Sequence, residues 1–203
     1  YGAVRFVKAC AAAGIRPILG VDLALARPEV RSTTTPARGG VHRDDRGPRV
    51  TFLASGASGW SAVCRLVSAA HATRDRGAPA VTGAMVAEHV SGRDVQVLLG
   101  PSSPFAAAVT TRHDDRALAQ LRHWRELVGE RLVVETVSHR LPTRGPAGPG
   151  SSAHAARMLG MARSQGVPVV LSNAVRHADR LDAPTVDILD ATRRLVPLDP
   201  RHL

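Results

Sequence analysis

Two cysteines, Cys10 and Cys64, are too few for a disulfide framework. Each falls on the apolar stripe of an expected helix, which predicts two buried thiols. Aromatic residues make up 3% of the chain, one Tyr, two Trp and three Phe, so a base-stacking platform for single strands is excluded. No run approaches the roughly 18 to 20 consecutive apolar residues of a membrane span, and the N-terminus lacks the basic, apolar, small-residue order of a secretory signal. A cytoplasmic chain without a membrane partner is therefore expected. There is no HExxH, CxxC pair, GxSxG, P-loop or dinucleotide fingerprint, so the commonest motif-borne chemistries are absent. Lysine is nearly absent too: Lys8 stands alone among 27 basic residues.

What is present suffices for one substantial core: 203 residues, 44% of them hydrophobic, read as a single α/β domain over residues 1–203. A formal charge of +10 favours polyanions such as DNA as partners. The arginines are spread along the chain without a dense block, however. The first residues, from Tyr1, already carry helical periodicity, which predicts that the sequence begins inside a longer reading frame.

Ala3, Val4, Val7, Cys10 and Ala11 follow the spacing of an amphipathic helix ended by Gly14. Pro17 to Leu25 is apolar except for Asp22, as in a strand buried on both faces of a parallel sheet. Strands are further predicted over Arg49 to Ser55, Asp94 to Gly100, Leu132 to Val137 and Val167 to Ser172. Helices are predicted around Trp60 to Val67, after a Thr82 cap, from Asp114 or Asp115 with Leu118, Leu121, Trp124 and Val128 inward, and around Met158. Pro184 at an N1 position opens the last helix. Residues 27–48 and 141–152, rich in Gly, Pro and polar residues, are predicted to be flexible loops. The alternation of strands and helices points to a parallel α/β sheet, open or closed into a barrel.

Three stretches, in order, resemble the PHP domain of the C-family replicative polymerases, the alpha subunit of bacterial DNA polymerase III and its error-prone relatives. They are YGAVRFVKACAAAGIRPILGVDLAL at 1–25, VTFLASGASGWSAVCRLVSAAH at 50–71 and GVPVVLSNAVRHAD at 166–179. Residues 180–203 resemble the exit from that domain toward the palm. The resemblance implies a PHP-type distorted barrel of seven strand–helix units, here incomplete at the N-terminus. Its strand ends would hold up to three metal ions, zinc or manganese where the site is intact, for phosphoester hydrolysis including 3′ to 5′ proofreading. It also implies DNA, other polymerase domains and replisome subunits as partners, with magnesium serving the parent polymerase at palm aspartates outside this sequence.

The family's His-x-His pair would lie upstream of Tyr1. Asp22 falls where the family has a metal-binding Glu. A carboxylate in an apolar strand must be ion-paired, hydrogen-bonded or metal-bound, which makes Asp22 a candidate ligand. His71, ending the second stretch, is a weaker candidate, with a helix-terminal solvated His as its other reading. Pro101 replaces a family Cys, while Ala174 and Arg176 replace a family Asp and His. Arg176 suggests a guanidinium standing in for the metal and pairing with Asp22. His177 is discounted because a one-residue shift along a strand would turn it to the opposite face. Glu135 and His139 read as surface polar residues. Three functions follow: a structural polymerase module with a degenerate metal site, a metal-dependent phosphoesterase, or a basic nucleic-acid-binding module without catalysis.

Overall fold

The computed structural model describes residues 2–26, 48–72, 79–140 and 148–194. The loops expected at 27–48 and 141–152 lie mostly outside the described residues, as does the end of the exit segment beyond residue 194. The chain divides into two compact units, one of residues 1–26 and 48–172, the other of residues 27–47 and 173–203.

The first unit runs α1 (Ala3–Ala12), β1 (Gly20–Leu25), β2 (Arg49–Ala54), α2 (Gly56–Ala72), β3 (Ala80–Val81), α3 (Gly83–His89), β4 (Val95–Leu99), α4 (Pro104–Thr110), α5 (Asp114–Val128), β5 (Leu132–Val137), α6 (Ser152–Ser164) and β6 (Val169–Ser172). The strands form one six-stranded sheet in the order β3-β1-β2-β4-β5-β6. Among the described residues the α/β sheet is open, with β3 and β6 at its edges. The second unit contributes a 3₁₀ turn, Arg180–Asp182, capped by the Asp179 carboxylate on the Leu181 amide, and α7 (Ala183–Arg194), which holds Pro184.

The sheet is mixed, not wholly parallel. β2 runs antiparallel to both β1 and β4, whereas β1 pairs parallel with β3, and β5 with both β4 and β6. Among the described residues, five strands thus point one way and β2 alone points the other. Apolar continuity predicts burial, not direction, so the pattern of β2 could not reveal its reversal.

One face of the sheet is the core. Val50, Phe52, Val97, Leu99 and Val134 are each at most 1% exposed and pack with Leu66, Phe105, Leu121, Trp124 and Met158 from the helices. Burying each such side chain contributes about 1.5–3 kcal/mol. α2 approaches this layer closely at Gly59, where an added Cβ would lie 2.0 Å from the Asp94 carbonyl oxygen. The same carbonyl accepts from the Ser55 amide at 2.8 Å. The Asp94 carboxylate takes the Ser58 hydroxyl at 2.6 Å and the Arg131 guanidinium at 2.9 Å. One residue before β4 therefore ties down the β2–α2 turn.

Two burial expectations are corrected. Cys10 is buried, but Cys64 is exposed, because the buried stripe of α2 runs through Gly59, Ala62, Val63, Leu66 and Ala70 and leaves position 64 outside it. In α1 only Cys10 is buried, and Val4 is 70% exposed.

Candidate metal centre

In open α/β sheets ligands gather at the carboxyl ends of the strands. Here that end collects the termini of β1, β3, β4, β5 and β6 together with the first residue of β2. Alternation along each strand decides which side chains share the face away from the main helix layer. The register aligns Asp22 with Thr51, Thr51 with Leu98, and Leu98 with Val133. Two residues nearer the carboxyl end, Ala24 pairs with Arg49, and the same face continues through Gly100 to Glu135.

Asp22 meets its partner on this face. Nε of Arg49 donates to Oδ2 of Asp22 at 2.5 Å, and a second guanidinium nitrogen donates to the Asp22 carbonyl oxygen at 2.6 Å. The Thr51 hydroxyl approaches Oδ1 at 3.4 Å. The side chains remain 49% and 30% exposed for Asp22 and Arg49, so solvent screens the pair. Diagonal neighbours on an antiparallel pair are within reach of a side chain as long as arginine. Within the first unit the cation that engages Asp22 is thus Arg49, while the Arg176 of the expected pairing belongs to the second unit.

Glu135 forms the other polar point. Its Oε1 accepts from the Ser172 hydroxyl at 2.5 Å, joining β5 to β6. Its Oε2 reaches over Gly100, where a Cβ would lie 2.5 Å away. Glu135 is half-buried on the sheet face, unlike the solvated residue expected. The alternation of Val133, Glu135 and Val137 in LVVETV was the signal that placed it there. His139 is exposed beyond β5, with its amide donating to the Gly150 carbonyl at 2.8 Å.

His71 is exposed in the last turn of α2. Pro101 lies in the turn after β4, whose Ser102 carbonyl accepts the Arg49 amide at 2.9 Å. In the second unit, Ala174 has a left-handed φ of 44°, a conformation costly for any residue with a Cβ. Because β6 ends at Ser172, strand alternation does not apply to His177. That residue is exposed, and its Nδ1 is 2.8 Å from the Asp179 carbonyl oxygen.

Among the described residues, no three of His, Cys, Asp and Glu are grouped to hold an ion. Asp22 is engaged by a guanidinium, and Pro101 and Ala174 offer no side-chain ligand atom.

The sequence reading missed the buried His154 of α6. Nε2 lies 3.0 Å from the Thr110 hydroxyl and 3.3 Å from the Ala106 carbonyl oxygen. That hydroxyl itself donates to the Ala106 carbonyl at 2.9 Å, so Nε2 carries the proton and bridges α6 to α4. Burial lowers the His154 pKa below its ordinary 6.5, against a smaller raising effect of the Ala106 hydrogen bond. A groove of about 410 Å³ beside α6 and β6 is mostly apolar, lined by Leu159, Val169 and Leu171 with Arg163. It shares the face of Thr136, opposite Glu135.

The chain belongs to the PHP domain family, whose pattern matches residues 1–139, and the mixed sheet, open among the described residues, is consistent with a PHP-type fold that is not closed. Its similarity extends to three bacterial polymerase polypeptides. It is 28% identical over 218 aligned positions to an error-prone DNA polymerase of Symbiobacterium thermophilum, covering 99% of this chain and 18% of that protein. It is 30% identical to a DNA polymerase III subunit alpha of Caulobacter vibrioides, covering 88% of this chain and 14% of that protein. It is 27% identical to the corresponding subunit of Treponema pallidum, covering 93% and 15% respectively. The chain therefore spans less than a fifth of the length of these relatives. Among the described residues, no helix is long and apolar enough to cross a membrane.

Proposed function

We propose that the chain is the PHP module of a cytoplasmic DNA-directed DNA polymerase of the DNA polymerase III alpha class, serving replication or error-prone repair synthesis as a scaffold. The observation that carries the scaffold role is the engagement of Asp22 by Arg49, at the position where the resemblance puts a metal ligand. Pro101 and Ala174 support it. Magnesium-dependent nucleotidyl transfer needs paired carboxylates on a palm, which other domains of the parent polypeptide supply. The module braces those domains, and its excess of arginine adds attraction for the DNA they hold.

The test is elemental analysis of the purified chain, paired with a 3′-end hydrolysis assay on single-stranded DNA in added manganese or zinc. The expected result is substoichiometric metal and no metal-dependent cleavage. Stoichiometric metal that survives dialysis, or cleavage abolished by Asp22→Asn, overturns the scaffold reading in favour of a phosphoesterase.

A further inference from the structure

The metal centre implied by the family does two things: it supplies chemistry, and it ties strand ends together. The donor set here has lost the first capacity, yet the strand ends are still joined. On β2 the Arg49 side chain donates to both the carboxylate and the carbonyl of Asp22 on β1. Its main-chain amide donates to Ser102, in the turn where Pro101 follows β4. A single residue thus spans β1, β2 and the end of β4, and it is the first residue of the one strand that, among the described residues, runs against the rest.

We propose that Arg49 is a resident cation, a covalently tethered replacement for the cross-linking function of the lost metal, so that this end of the sheet is held without any dissociable ion. The proposal rests on the degenerate-site reading above and adds the residue responsible. A guanidinium suits the role physically. It is always charged, and its planar fork addresses a carboxylate and a neighbouring carbonyl at once. Lysine would keep the charge but present it as a point without the fork.

The experiment is a double-mutant cycle on the 203-residue chain, comparing Asp22→Asn, Arg49→Met, the double variant and Arg49→Lys by thermal unfolding with and without EDTA. Each single variant of the cycle is expected to lower Tm by about 2–4 °C. The double variant should fall no further than the worse single one, and Arg49→Lys should lie between wild type and Arg49→Met. EDTA should leave the wild-type Tm unmoved. Losses that add in the double variant overturn the proposal, as does an Arg49→Lys variant with the full loss of Arg49→Met. These outcomes are separate from the failure of the scaffold reading, which shows as metal in the wild-type chain whatever the cycle gives.

Discussion

The Glu135 carboxylate occupies space only because Gly100 has no side chain. Gly100→Ala puts a Cβ 2.5 Å from Oε2, the far end of a flexible side chain. Glu135 then swings away and loses its bond to Ser172. A loss of about 1 kcal/mol is expected, measured as the urea midpoint. In a Glu135→Ala background the same substitution should be neutral or stabilising, since the obstacle is gone and alanine restricts the unfolded chain. Gly59 differs, because a Cβ there meets the Asp94 carbonyl at 2.0 Å and backbone cannot swing aside. Gly59→Ala should cost more than Gly100→Ala, about 1–3 kcal/mol.

His154 gives a pH dependence of defined sign. Its folded pKa is lowered by burial, so the unfolded chain binds the proton more readily and stability rises with pH in that window. The contribution of neutral His154 is fully present above pH 6.5 and is lost as pH falls from there toward the lower folded value. Urea midpoints taken from pH 7.5 down to about pH 5 should fall, and His154→Gln should flatten that part of the profile. An unchanged slope in the variant would assign the effect to other groups.

At the scale of elements, Ser151 caps α6. Its hydroxyl accepts the His154 amide at 3.2 Å and donates to the Gly148 carbonyl at 2.8 Å while 4% exposed. Ser151→Ala should cost about 1 kcal/mol, with faster amide exchange confined to the first turn of α6. The edge strand β6 exposes Val170 at 42% and Leu171 at 68%. Exposed apolar edges template association. Leu171→Lys should therefore reduce light scattering in concentrated samples while changing stability by no more than about 0.5 kcal/mol.

Elements with strong local signals were legible in the sequence. The Thr82 cap marked α3, Asp114 opened α5, and Leu121, Trp124 and Val128 lie buried along it. Elements made by tertiary context were not. β3 is two residues long and owes its existence to pairing with β1. α4 begins at Pro104 within a Ser/Pro stretch that reads as a turn. Of the site, Asp22 was legible as a carboxylate needing a partner. Arg49 was not, because its proximity arises from the reversed direction of β2, which has no residue-level signal. Glu135 sat in plain alternation, and only its neighbour Gly100, distant in sequence, gives that position meaning.

For the whole molecule, the +10 charge predicts an electrostatic response to DNA. Association with DNA should weaken steeply as salt rises, with little preference among sequences. Fluorescence anisotropy on two unrelated oligonucleotides checks both points. Affinity that differs strongly between them, or persists in high salt, would require base-specific contacts.

The reversal of β2 makes the ion pair a check on strand register. Successive residues of β2 point to opposite faces, so a one-residue slip against β1 would carry Arg49 to the face occupied by Val50 and Phe52. There a guanidinium would sit unpaired in an apolar layer, while a valine faced the Asp22 carboxylate. Both errors are penalised together, so the mispaired sheet is disfavoured.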